Sequence, residues 1–237
     1  SERPRKPAGA SSLDAHVWRP ELGLRVLVVD KKDWGKRQLL QLPAGFLFHL
    51  GNAWSEDTAG GTLIHVDYVR SDTAAAVFTS DRELMRGRRV RGPEPTLTVA
   101  TLNLSTGEAR QTGLGLDAEF PRIDPRRIGL RHRQVLHATQ LLAERPGFAA
   151  IALTDVESGA SQRFVYGPQA MVEEHVLVPD GERPGWILGT VLDLAQKKTV
   201  LSCFAADRLA DGPVAQATLA HALPLGLHGV FVPGAAA

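Results

Sequence analysis

At 237 residues, 43% of them hydrophobic and 22% charged, the chain is long enough to bury a real core. Its net charge of +1 lacks the basic excess that nucleic-acid binding usually shows, and its single cysteine, Cys203, excludes an internal disulfide and a cysteine-based zinc cluster. No apolar run approaches the ~20 residues of a membrane span, and the charged N-terminus is followed by no apolar signal core, so a cytoplasmic location is expected.

Residues 1–12 are rich in Pro, Ser and charge and are expected to fray. Apolar runs then recur at Leu24–Asp30, Gly45–Trp54 and Thr62–Val69. Ser80-Asp-Arg-Glu83 reads as a capping box opening a short helix that Gly87 soon ends. Further runs follow at Thr96–Leu102, Phe148–Thr154, Val172–Val178, Trp186–Leu194, Thr199–Phe204 and Val214–Leu219. Thr154–Ser161 and Asp193–Thr199 are polar connectors between them. Many short strands with turn signals between them predict an all-β sandwich, barrel or propeller. Cys203 lies in an apolar run and is expected to be a buried, inert thiol.

Eight histidines are candidates for chemistry: His16, His49, His65, His132, His137, His175, His221 and His228. None forms an i, i+4 helical pair, and spacing alone does not choose among them. On a strand, Leu47, His49 and Gly51 share one face, with Phe46, Phe48 and Leu50 on the other. Gly226 and Gly229 flank His228 and allow close backbone approach. His49 and His228 stand 179 residues apart, about four propeller blades at roughly 40–50 residues each. Innermost strands of a propeller border one axis, so residues that distant can still meet. Alternation also places Glu174 with Val172 and Val176, and Glu173 with His175 on the opposite face.

Several stretches in order resemble the carotenoid oxygenase family: Arg25–Asp30, Phe46–Trp54, Glu119–Asp124, Glu174–Pro179 with Gly185-Trp186, and Leu225–Pro233. The resemblance implies an all-β fold belonging to a seven-bladed β-propeller, with about four blades in residues 13–237. It implies Fe(II) on the axis, held by four histidines and steadied by three glutamates. His49 resembles the third iron ligand and His228 the fourth; Glu119 and Glu174 resemble the glutamates behind them. The implied reaction is cleavage of a conjugated C=C bond of a carotenoid, apocarotenoid or stilbene-like substrate by O2, giving two carbonyl products.

The motifs of the first two iron histidines and the first glutamate are absent from the chain. The expectation is therefore a C-terminal portion whose N-terminal blades lie elsewhere, which needs that half to act and exposes strand edges without it. The competing reading is a non-catalytic propeller module that has lost its metal. A hydrolase is a weaker option, since no Gly-x-Ser-x-Gly elbow is present. Membrane-surface contact has no supporting amphipathic helix, and Arg126, Arg127, Arg131 and Arg133 read as a solvated loop. Trp54 and Trp186 read as blade-packing residues.

Overall fold

Four strand ends in this chain carry the same small device. Asp30, Asn103, Asp155 and Asp193 each accept the backbone N–H groups two and three residues ahead, at 2.7 to 3.0 Å. That side-chain turn reverses the backbone without needing a partner from elsewhere. The result is a succession of antiparallel meanders. A computed structural model describes residues 16–75, 79, 82–84, 86–88, 94–142, 145 and 147–234. The segment expected to fray and Ser80 of the capping box lie outside the described residues.

Strands β1 (Leu24–Val29) and β2 (Arg37–Leu42) form a hairpin. The next four, β3 (Phe46–Thr58), β4 (Gly61–Ser71), β5 (Thr96–Asn103) and β6 (Ala109–Asp117), form a sheet in chain order. A second meander contains β7 (Glu119–Arg122), β8 (Gln134–Leu141), β9 (Phe148–Asp155) and β10 (Ser161–Val165). A third contains β11 (Ala170–Asp180), β12 (Arg183–Asp193), β13 (Lys198–Ala205) and β14 (Ala215–Thr218). The second and third join through the pairing of Val172 with Phe148. Among the described residues the strands thus group as three four-stranded meanders and one hairpin. A short helix, α1 (Arg82–Leu84), follows β4, and Glu83 within it pairs with Arg86 and Arg88. No helix among the described residues is long and apolar enough to cross a membrane.

Burial is organised between meanders. Leu136, Ile151, Ile187, Phe204 and Leu209 pack the second against the third. Val69, Leu97, Ala118 and Val135 tie the first to the second. The hairpin contributes Leu40 and Leu42 to a core with Tyr68 and Leu102.

In β3, Phe48 and Leu50 are 48% and 60% exposed. The core beneath β3 takes Leu47 instead, and the strand is bulged on both sides of Leu50. Trp186 is 39% exposed rather than buried between blades. Trp54 stacks on His65 with ring centres 4.0 Å apart, and the Arg131 guanidinium lies over its ring. Cys203 is part-buried in β13, and that burial pushes its thiol pKa up.

Candidate metal centre

His49 comes from β3 and His228 from an irregular strap that follows β14. Their Nε2 atoms face each other at 3.2 Å, with the ring planes nearly perpendicular. His49 Nδ1 meets Glu119 Oε2 at 2.5 Å, and Glu119 opens β7. The same oxygen accepts the Phe120 backbone N–H at 2.9 Å. Phe120 itself has the left-handed φ of 54°, unusual for a bulky residue and located beside the site. His228 Nδ1 meets Glu174 Oε1 at 3.0 Å, and Glu174 lies on β11. All four residues singled out in the sequence are therefore brought together, from three strands of two sheets and one strap.

The hydrogen bonds assign the protons. Each Nδ1 has a carboxylate as partner, so each carries the N–H and leaves Nε2 as a lone pair. Two lone pairs then point at one location. Neutral imidazoles so placed repel one another unless a cation lies between them or one takes an extra proton. At the observed separation both nitrogens would be able to hold one metal ion between them. The donor set thus fits a divalent metal favoured by imidazole. Among the described residues no group of three or more His, Cys, Asp or Glu converges to hold a metal.

Glu174 is more elaborately held than Glu119. Arg122, also on β7, grips it with Nε to Oε1 and a terminal nitrogen to Oε2, both at 2.7 Å. The Gly229 N–H donates to Oε2 at 2.6 Å. Burial pushes the Glu174 pKa up, but the guanidinium, this N–H and His228 together hold it below its ordinary value. Replacing Glu174 with Ala would leave Arg122, His228 and the Gly229 N–H without their common acceptor. We expect a loss of about 2–3 kcal/mol in urea unfolding, below the full cost of breaking a buried pair because Arg122 is partly exposed.

Sequence reasoning missed two things here. Strand alternation set Glu173 and Glu174 on opposite faces, yet the register shifts between Val172 and His175, and both carboxylates are buried toward the strap. Arg122 lay within a quoted motif, but nothing in the sequence marked its partner. The other buried histidines belong elsewhere. His137 bonds Thr154 and the Ala138 carbonyl, and His175 bonds Tyr166 and the Glu173 carbonyl. His132 sits 2.8 Å from Asp67, off the hydrogen-bonding direction, and against Asn52. Asn52 in turn fastens the backbone of Arg127, Gly129 and Leu130.

A cavity of about 960 Å³ collects Arg126, Arg127, Arg131 and Arg133, away from the two facing histidines. Arg126 pairs with Asp124, Arg131 with Glu157 and Arg133 with Asp155, so three of these four arginines have carboxylate partners.

Comparison with known proteins identifies the family. The family model described as "Retinal pigment epithelial membrane protein" matches residues 5–233. An isoeugenol monooxygenase of Pseudomonas nitroreducens is 26% identical over 240 residues, covering 92% of this chain and 48% of its own. A chloroplastic 9-cis-epoxycarotenoid dioxygenase of Arabidopsis thaliana is 25% identical over 205 residues, 81% of this chain and 32% of its own. Among solved structures, cobalt-substituted apocarotenoid oxygenase of Synechocystis superposes with a TM-score of 0.74 at 20% identity, covering 89% of this chain and 44% of that one. That likeness shows the fold, a β-propeller. The chain spans about a third to a half of the length of the curated relatives it matches.

Proposed function

The chain belongs to the retinal pigment epithelial membrane protein family, the carotenoid oxygenases, and from that premise we propose that it is part of an Fe(II) enzyme that splits a conjugated C=C bond. The facing Nε2 lone pairs of His49 and His228, each backed by a carboxylate, carry this reading. His49 and His228 would hold the metal, with its remaining positions filled from outside the described residues. Fe(II), when bound, supplies the redox chemistry by which O2 adds across the alkene and leaves two carbonyl products.

The chain's own contribution is orientation. Glu119 and Glu174 fix both imidazoles as Nδ1–H tautomers, aim Nε2 inward and raise ligand basicity. Phe48 and Phe120 lie edge-on or tilted against His49, and Leu227 adjoins His228. These side chains offer an apolar border to a polyene or stilbene-like substrate, in keeping with the carotenoid, apocarotenoid and isoeugenol substrates that relatives' names carry.

The test is made on the intact gene product. Its iron content is measured, and it is incubated under 18O2 with an apocarotenoid, a carotenoid and a hydroxystilbene. We expect stoichiometric iron and labelled aldehyde or ketone products from at least one substrate. Protein that binds no transition metal and forms no carbonyl product from any of them would refute the reading.

A further inference from the structure

We propose that Glu173, outside the paired residues described above, is a positioning residue for His228; the inference rests on the metal reading of that site. The bulge between Val172 and His175 turns two consecutive carboxylates of β11 onto the C-terminal strap. Glu173 Oε1 accepts the Gly226 N–H at 2.6 Å, and Glu174 Oε2 accepts the Gly229 N–H at 2.6 Å. The strap is thereby pinned two residues before His228 and one residue after it. One pin would let this irregular backbone swivel about the bond. Two pins on adjacent residues of one strand set the direction in which the imidazole leaves the backbone.

The second oxygen of Glu173 accepts the Thr190 hydroxyl of β12 at 2.5 Å, which locks the carboxylate's own rotamer. Glu173 is 5% exposed, and both of these partners are neutral donors. A carboxylate buried in such company is expensive, which argues for a geometric use rather than ion pairing. The same feature provides a diagnostic substitution. Glutamine can turn its carbonyl to Gly226 and its amide to the Thr190 oxygen, which keeps both links without the charge. Alanine keeps neither.

The experiment compares wild type, Glu173→Gln and Glu173→Ala as intact protein, using Co(II) titration followed by visible absorption and amide hydrogen exchange across residues 219–234. Alanine is expected to weaken Co(II) binding about 10-fold, with a changed d–d band and faster strap exchange, while glutamine restores all three to near wild type. Wild-type affinity and strap exchange in the alanine variant would overturn the proposal. So would equal losses in both variants, which would point to charge rather than to the two hydrogen bonds. If wild type binds no Co(II), the metal reading fails, and strap exchange alone still decides the clasp: faster in alanine only supports it, unchanged overturns it.

Discussion

Replacing His49 with alanine is expected to weaken metal binding to the intact protein by at least about 100-fold, beyond the usual cost of losing an outer hydrogen-bond partner. A factor of 100 corresponds to about 2.7 kcal/mol. The loss has two parts. One coordinating lone pair disappears, and Glu119 is left with the Phe120 N–H and no imidazole. Glu119→Gln is expected to weaken binding only about 10-fold, since the amide oxygen still accepts from Nδ1 while adding less basicity. His228→Ala should match His49→Ala, and the double variant should lose little more, because ligands of one ion act as a unit. Calorimetric titration with Co(II) reads all four. A His49→Ala protein that keeps wild-type metal content would remove this residue from the centre.

Acidification from pH 7 to pH 4.5 is expected to lower folding stability by about 2 kcal/mol through His175 alone. Burial drives its pKa from the ordinary 6.5 down to about 4. The neutral ring is fully used, with Nδ1–H donating to the Glu173 carbonyl and Nε2 accepting from Tyr166. The unfolded chain takes up a proton near pH 6.5 that the folded chain refuses until about 4, so stability falls across that window and levels off beneath it. His137, also lowered by burial, acts in the same direction. Glu174 acts in a different window. Its pKa is below the ordinary 4.5, so its contribution is present above that pH and is lost as the pH falls through the folded value. Urea unfolding across this range tests the assignment. His175→Gln should flatten the slope between pH 6.5 and 4 whatever its stability at pH 7, and an unchanged slope would contradict it. Substitution near this ring has little room for error, because a Cβ on Gly189 would sit 2.2 Å from the His175 ring.

Most of the strands legible in the sequence have a buried face or two, although β14, read from the run Val214–Leu219, is exposed throughout. Runs such as Phe148–Thr154 and Thr199–Phe204 became β9 and β13 almost residue for residue. The missed strands have physical reasons. In β6, Arg110, Gln111, Gly113 and Gly115 make a polar outer strand. Strand β10 is almost entirely exposed, and β7 is only four residues with Pro121 inside it. Strand β8 was hidden by His137, a polar residue whose burial depends on a partner on β9. The four site residues were legible only because ordered motifs resembled a family; periodicity left eight histidines equivalent. Glu173 and Arg122 were not legible at all. One needed a bulge that alternation does not foresee, and the other needed a partner 52 residues away.

Because the facing imidazoles come from a strand near one end of the chain and a strap near the other, an ion between them would act as a removable cross-link. It would hold the folded chain and have no comparable seat in the unfolded one, so apparent stability becomes a property of the buffer as well as of the sequence. Each tenfold rise in free metal above the dissociation constant adds about 1.4 kcal/mol. Preparations that differ only in their exposure to chelators would then melt at different temperatures.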